Sequence, residues 1–310
     1  MTIGKLIYNS IYKPTGWIRY YLGHFGIRGW FDLVSGEKKM VRAARKQKPI
    51  HLSASDGVIT FSFLTGKRYL HQTIFCIKSL DSLLFGQFKA DIYSDGSLKA
   101  DDIAELQQII PESNIFSGEM MDKRLEELLP SARYPTLRWL REWHPFFRRM
   151  LDIHTQPGWS IHLDSDMIFF KKPERLLTAF DRKEAIYMKE QLEHSFFADD
   201  EDILSERYQI FCIRLINGGI VAYDNDLVDY DDLEMKATVL LKAYPHTSAA
   251  RVEQTLMSYL LFKQNALPLP EKEYVINYDS NPDIKGGEVV KHYIFKAKLP
   301  YFKSEWKQVP

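Results

Sequence analysis

Cysteine is scarce in this chain of 310 residues: Cys76 and Cys212 are the only two, and both lie among apolar residues. Two thiols so far apart in sequence provide neither a disulfide framework nor a cysteine-based metal site. The sequence also lacks an Asn-x-Ser/Thr sequon, and it lacks an apolar run of about 18 residues, the length that spans a bilayer. These absences predict a cytoplasmic protein in a reducing environment, without a secretory leader.

A net charge is missing as well, because 41 Lys and Arg balance 41 Asp and Glu. The charge is nevertheless unevenly placed, since residues 1–50 contain ten cations and two acids and therefore carry +8. Aromatic residues are interleaved with these cations. This mixture is typical of a helix that lies on an anionic membrane surface, and equally of an arm packed on the protein. We expect residues 1–50 to contact the inner face of an anionic membrane, and we expect no nucleic-acid partner.

Beyond Asp56 the chain alternates between strand-like and helix-like segments. The predicted strands are 58–64, 90–93, 159–163, 219–223, 274–277 and 289–295. The predicted helices are 69–84, 101–110, 136–153, 232–243 and 252–262. We expect a basic, aromatic N-terminal segment at residues 1–50 and one α/β domain at residues 51–310, with a mostly parallel central sheet and helices on both faces. Ligands of such sheets bind at the carboxyl ends of strands.

One pair of carboxylates lies at such a strand end. Asp164-Ser165-Asp166 directly follows the predicted strand 159–163 and precedes an apolar run. Two carboxylates one residue apart can bind one hard divalent cation, whose other positions can take the phosphates of a nucleotide diphosphate. Three further Asp-x-Asp triplets begin at Asp200, Asp224 and Asp229. The first lies in an acidic run expected to be a solvated loop, and the other two lie where Asp commonly forms turns and helix caps.

Further polar motifs follow one another between Val58 and Lys298. They are Tyr69-Leu70 with Ile77-Lys-Ser-Leu80, Phe147-Arg-Arg-Met-Leu151, Leu163-Asp-Ser-Asp166, Ile216-Asn-Gly-Gly219, Glu253-Gln254, and His292 with Lys298 six positions later. In order and spacing these segments resemble the retaining GT-A enzymes of glycosyltransferase family 8, the group that contains bacterial lipopolysaccharide galactosyltransferases and glycogenin. The resemblance implies a GT-A fold and a hexosyltransferase-like enzyme that uses a nucleotide-sugar, UDP-linked in this family, to modify a glycan or lipid-linked acceptor.

The resemblance also implies roles for individual residues. Asp164, Asp166 and His292 are the expected ligands of Mn²⁺ or Mg²⁺. The residues expected beside the reacting sugar are Asn217, Glu253 and Gln254. The residues expected to hold the donor are Thr65, Tyr69, Arg149, Ser165, Gly218, Gly219 and Lys298.

The sequence departs from the family pattern at several positions. Phe295 stands where the last motif has glycine, Pro300 comes one residue late, and Glu253 replaces an aspartate. The first strand ends in Thr65-Gly66-Lys67, without the acidic residue that meets the nucleobase in the family.

Two other functions remain open from the residues alone. Asp164 as nucleophile and Asp166 as general acid would suit a phosphohydrolase. A non-catalytic protein that binds a nucleotide-sugar or glycan could have the same fold. Single positions also have structural alternatives. His292 is a packed core histidine in one of them, although its spacing to Lys298 favours a metal ligand, and Asn217 is a turn residue. For Gln254 an ordinary surface position is equally compatible with the sequence.

Overall fold

Two sheets organise the computed structural model, which describes residues 13–279 and 286–309. The strands are β1 (Thr60–Thr65), β2 (Lys89–Ser94), β3 (Asn114–Phe116), β4 (Trp159–Leu163), β5 (Met167–Phe169), β6 (Ile186–Lys189), β7 (Ile216–Asp224), β8 (Leu267–Pro268), β9 (Tyr274–Asn277) and β10 (Val290–Tyr293). The α-helices are Lys13–Arg45, Leu70–Leu84, Ala100–Ile109, Gly118–Leu128, Pro135–Trp143, Phe146–Arg148, Glu174–Arg182, Glu201–Tyr208, Tyr230–Ala243, Ala249–Lys263 and Lys298–Lys303. Arg149–Ile153 is π-helical, and short 3₁₀ segments are Asn225–Leu227, Phe295–Ala297 and Glu305–Gln308.

The larger sheet has the strand order β3-β2-β1-β4-β7-β6-β8. All its neighbouring strands are parallel except for β7, which is antiparallel to both β4 and β6. An antiparallel strand begins where its neighbours end, so the first residues of β7 lie at the same edge as the last residues of β1 and β4. The prediction of a mostly parallel sheet is confirmed.

Helices cover both faces of this sheet. Along β7, Ile220 and Ala222 pack in one buried cluster, whereas Val221 and Tyr223 pack in a second. Successive side chains of a strand point to opposite faces, so a strand buried on both faces divides its residues between two cores. This accounts for the continuous apolar run of the strand.

The smaller sheet places β10, which contains His292, next to the carboxyl end of β4. Its order is β5-β10-β9, with β10 antiparallel to β5 and His292 opposite Met167. The backbone N–H of Tyr293 donates to the carbonyl of Asp166 at 2.9 Å. Residues separated by more than a hundred positions therefore meet at one strand end.

The N-terminal helix (Lys13–Arg45) bends at Gly26, where φ is +62°. Tyr21, Leu33 and Met40 are buried in the core that also contains β1. Of the two interpretations of this segment, packing on the protein therefore applies to its described part. Residues 1–12 lie outside the described residues, and the division of the chain at residue 50 stays a prediction.

Two predicted elements differ from the structure. A single helix over 136–153 is wrong, because the chain breaks at His144, whose φ and ψ are −151° and 139°. Pro145 causes this break, since a residue before proline is driven out of the helical region and proline has no N–H to donate. The prediction of a loop for the acidic run around Asp200 is also wrong. Asp200 accepts a hydrogen bond from the N–H of Asp202 at 2.9 Å and caps the helix Glu201–Tyr208.

Candidate functional site

Asp164, Asp166 and His292, the Asp-Asp-His triad, meet at the carboxyl end of β4. Each offers one ligand atom, and these three atoms lie within 4.8 Å of one another. The Nε2 atom of His292 is 3.1 Å from Oδ1 of Asp166 and 3.6 Å from Oδ2 of Asp164. Among the described residues this is the one such group of His, Cys, Asp and Glu side chains. The structure thus brings together the three residues predicted as metal ligands.

The chemistry of the triad fits a divalent cation. Two carboxylates and one imidazole are suitable ligands for Mn²⁺ or Mg²⁺ when other positions remain for water or phosphate. The carboxylate side chains are 27 % and 22 % exposed, so they are open to a ligand, whereas the imidazole is 5 % exposed. His292 is therefore fixed by burial while both carboxylates face accessible space.

Positive groups and a histidine hydrogen bond hold both aspartates in the ionised form. Burial alone would raise the pKa of Asp164, but Arg149 at 3.2 Å and His162 at 2.9 Å lower it to about 2. Burial would likewise raise the pKa of Asp166, and here Lys298 at 2.6 Å together with His292 lowers it well below its usual range. Burial would lower the pKa of His292, but Asp166 and Asp164 raise it. The site is thus a carboxylate pair surrounded by positive groups.

Two glycines make close approaches behind the triad. A Cβ atom on Gly219 would lie 2.6 Å from Nδ1 of His292, and one on Gly218 would lie 3.0 Å from Nη1 of Arg149. Both glycines lie inside β7, and so does Asn217, which is therefore not a turn residue. The side-chain oxygen of Asn217 accepts the N–H of Gly219 at 2.9 Å. Glycine is required here for the approach of an imidazole ring to the strand.

Arg149 links the triad to the predicted catalytic residues. Its guanidinium contacts Asp164 at 3.2 Å, the carbonyl of Gly218 at 3.1 Å and Glu253 at 3.1 Å. Glu253 is buried, and burial raises its pKa. Arg149 lies in the π-helical segment, a conformation that is frequent at functional sites. The neighbouring Gln254 donates to the carbonyl of Ile216, so its amide is attached to the start of β7.

A cavity of about 390 Å³ opens over the carboxylates. Of the residues predicted to bind donor or metal, the cavity is lined by Thr65, Tyr69, Arg149, Asp164, Ser165, Asp166 and Lys298. Gly218, Gly219, His292 and the predicted catalytic residues Asn217, Glu253 and Gln254 are not among the residues that line it. Thr65 and Ser165 are joined through Thr73, whose hydroxyl is 2.7 Å from one and 2.8 Å from the other.

Most of the residues that line the cavity were not predicted. The N-terminal helix contributes Tyr21, Trp30, Leu33, Val34 and Glu37. Other parts of the chain contribute Arg68, Gln72, Asp95, Phe146 and Phe302. The sequence contained a signal for the N-terminal residues, because aromatic residues interleaved with cations set residues 1–50 apart. This pattern did not show which part of the protein the aromatic side chains contact. Asp95 directly follows β2, which ends beside β1.

The geometry also explains the capping aspartates and the departure from the family motif at Phe295. Asp224 accepts from Asp226 N–H, and Asp229 accepts from Asp231 and Asp232 N–H groups, so the predicted capping roles are confirmed. Phe295, which replaces the glycine of the family motif, has a φ of +47°, in the left-handed region that favours glycine. The backbone at this position therefore keeps the conformation of a glycine.

Comparisons with known proteins give a likeness of fold. No protein-family model matches the sequence, and no curated protein matches it. The structure is similar to that of the bifunctional glycosyltransferase WbbM in its apo form, with a TM-score of 0.53 and 13 % identity over 83 % of this chain. The chain spans about half of WbbM, 51 % of its length. It is also similar to apo mouse xyloside xylosyltransferase 1, with a TM-score of 0.50, 12 % identity, and coverage of 76 % of this chain and 96 % of that one. The chain has a GT-A-like glycosyltransferase fold.

Proposed function

We propose that this chain, whose fold is that of glycosyltransferases, transfers a sugar from a nucleotide-sugar to a hydroxyl acceptor with the help of a divalent cation. The observation that carries the proposal is the Asp-Asp-His triad at a strand end, beneath a cavity large enough for a ligand and beside Lys298. A UDP-linked donor and retention of configuration at the transferred sugar are parts of the same proposal and derive from the resemblance to family 8.

Each part of the cavity has a proposed task. Asp164, Asp166 and His292 would hold Mn²⁺ or Mg²⁺, which supplies positive charge to a leaving diphosphate. Lys298 adds a second positive group beside Asp166. The aromatic side chains of the cavity would contact the nucleoside and keep water away from the reacting bond. They are Tyr21, Trp30, Tyr69, Phe146 and Phe302. Asn217, Glu253 and Gln254 do not line the cavity and would position the sugar and its acceptor indirectly, through Arg149 and the start of β7.

The test is a screen of nucleotide-sugars for metal-stimulated hydrolysis, followed by Asp166→Asn. The substitution keeps the size of the side chain but removes its charge, so we expect turnover to fall by about 100-fold or more while the protein remains folded. Circular dichroism and the melting temperature provide the folding control. Turnover equal to that of the wild type would refute metal binding by Asp166.

A phosphohydrolase mechanism fits the charges around Asp166 less well than glycosyl transfer does. In that mechanism Asp166 would donate a proton to the leaving group. Lys298 and His292 hold the pKa of Asp166 far below neutral pH, so the group carries no proton to give. Hydrolysis of a simple phosphate ester without hydrolysis of any nucleotide-sugar would reverse this choice. Metal-dependent UDP binding without turnover would instead favour a non-catalytic protein.

We further propose that the protein works in the cytoplasm, on the inner face of an anionic membrane that presents a lipid-linked or other envelope glycan acceptor. On the N-terminal helix, Ile27 and Phe31 are 70 % and 67 % exposed. Exposed cations on the same helix are Arg19, Arg28, Lys38, Lys39, Arg42 and Arg45. Exposed apolar side chains flanked by cations favour a membrane interface. In the part of the chain that the structure describes, every helix is too short or too polar to span a bilayer.

A further inference from the structure

Two tryptophans stand together on the outer side of the helix Pro135–Trp143. Trp139 is 50 % exposed and Trp143 is 38 % exposed. Their rings are stacked, with centroids 5.1 Å apart and planes inclined by 26°. Trp143 stacks in turn on the buried Phe147 at 6.0 Å, which fixes the inner end of this aromatic row.

The exposure of this pair is not needed for folding. The opposite side of the same helix supplies the core with Leu137 and Leu140 and buries Arg141 against Asp152. Indole rings are among the most costly side chains to leave in water, because each carries a large apolar area. An exposed, stacked pair of indole rings is therefore a candidate contact surface.

The tryptophan pair lies close in sequence to the cavity described above. Pro145 and Phe146, which follow Trp143 after a single residue, both line that cavity. The guanidinium of Arg149 lies 5.2 Å from the centre of the Phe146 ring and also contacts Asp164. Trp139 also borders a separate depression of about 340 Å³ formed with Pro135, Thr136 and Leu241. A single residue thus separates Trp143 from the lining of the cavity.

We propose that Trp139 and Trp143, the tryptophan platform, bind the saccharide of the acceptor and guide it to the donor cavity. This inference rests on the proposed function and adds an acceptor site to it. The apolar face of a sugar ring packs on an indole ring, and a rigid aromatic side chain loses little conformational entropy on binding. Glu142 is exposed three residues after Trp139 and offers an acceptor for sugar hydroxyls.

The charge next to the platform favours a saccharide over an anionic membrane. Glu142, which directly precedes Trp143, is exposed, and Arg138 on the same helix is paired with Glu126 at 3.5 Å. A carboxylate next to the contact surface would be repelled by anionic headgroups.

The experiment compares two double variants that remove equally exposed, stacked rings. Trp139→Ala/Trp143→Ala removes the platform. Phe211→Ala/Phe262→Ala removes a stacked pair, 5.5 Å apart and 41 % and 43 % exposed, that does not line the cavity. Wild type and both variants are applied to an array of defined oligosaccharides. The best-bound oligosaccharide then serves as acceptor in transfer assays, with hydrolysis of the nucleotide-sugar measured in its absence.

We expect the tryptophan variant to raise the KM for the oligosaccharide by about tenfold and to lose array binding, while donor hydrolysis stays as in the wild type. The phenylalanine variant should keep both. Equal oligosaccharide binding by all three proteins, or no binding and no transfer by the wild type, would overturn the inference. So would a tryptophan variant that loses binding to phosphatidylglycerol vesicles and keeps saccharide binding.

These results separate the platform from the proposed function. If no nucleotide-sugar is hydrolysed or transferred, glycosyl transfer fails, and array binding alone then decides whether the tryptophans hold a saccharide. If the wild type transfers sugar and both variants match it, the platform fails and glycosyl transfer stands.

Discussion

At the residue scale, the position of His292 depends on the absence of a side chain at Gly219. A Cβ atom there would lie 2.6 Å from the imidazole and 2.7 Å from Cε of Met167. The methionine end can move, but the buried imidazole has little room. We therefore expect Gly219→Ala to displace His292 and to weaken Mn²⁺ binding by about 10- to 100-fold. Calorimetric titration with Mn²⁺ measures this loss.

Gly287→Ala provides the matched control, because a Cβ atom at Gly287 would meet nothing within 4 Å and the position precedes the same strand, β10. It should bind Mn²⁺ as the wild type does. Unchanged affinity in Gly219→Ala would show that His292 is not a ligand.

Two buried histidines should make the protein sensitive to acid. Burial lowers the pKa of His154 to about 3 and that of His71 to about 4. In the unfolded chain both titrate near 6.5, so below that pH the unfolded state takes up protons that the native state does not. Their stabilising contribution is complete above pH 6.5 and is lost as the pH falls towards 4 and 3. At pH 5 each of the two histidines should lower the unfolding free energy by about 2 kcal/mol relative to pH 7.5.

Urea unfolding at both pH values tests this expectation. His154→Gln removes one of the two titrating groups, so the loss of stability between pH 7.5 and pH 5 should shrink by about 2 kcal/mol. The comparison uses the difference between two pH values, so the general cost of the substitution cancels. An unchanged pH dependence in the variant would show that His154 is protonated in the native state.

Much of the site could be predicted from the sequence, because its signals lie in short stretches of the chain. Asp164 and Asp166 directly follow a predicted strand and precede an apolar run, and His292 and Lys298 keep a motif spacing. Trp30 and Glu37 could not be placed, because a helix shows which residues share a face but not what that face meets. Gln254 is intermediate: the motif singled it out, whereas its bond to the carbonyl of Ile216 depends on tertiary packing.

At the scale of elements, the N-terminal helix is held against the cavity by a backbone contact. A Cβ atom on Gly36 would lie 2.3 Å from the carbonyl oxygen of Phe302 and 2.7 Å from its carbonyl carbon. Backbone cannot swing aside as a side chain can, so Gly36→Ala must push the helix away from Lys298–Lys303. We expect a loss of about 1–3 kcal/mol in unfolding free energy and a higher KM for the donor.

Gly23→Ala on the same helix has open space around its Cβ position and should stabilise the protein by up to about 1 kcal/mol. Urea unfolding and donor kinetics on both variants give the comparison. A donor KM that is unchanged in Gly36→Ala, despite lost stability, would separate the helix from donor binding.

The elements that could be predicted are those with long patterns. The strands β1, β2, β4 and β9 and the helix Leu70–Leu84 lie where the sequence indicates them. Short elements were missed, since three residues in β3 or β5 and two in β8 cannot show a period. Capping by Asp200 was missed for another reason: its acidic neighbours are equally common in loops.

At the scale of the whole molecule, the uneven charge predicts salt-sensitive membrane binding. Each cation near an anionic surface contributes about 1 kcal/mol. Replacing Lys38, Lys39, Arg42 and Lys46 with Gln should therefore weaken sedimentation with phosphatidylglycerol vesicles by about 100-fold or more at low salt. The control replaces four exposed cations elsewhere, Lys172, Arg182, Lys263 and Lys272, and should sediment as the wild type does. Equal losses in both variants would indicate attraction without a defined surface.

The contact between Gly36 and Phe302 joins two segments that lie 266 positions apart in the sequence. During synthesis the helix Lys13–Arg45 leaves the ribosome long before Lys298–Lys303, the segment on which it packs. Until that segment is made, the buried side of the helix lacks this packing partner. Lys298 and Phe302 line the cavity together with residues of the helix, so a chain that stops before them has no complete site.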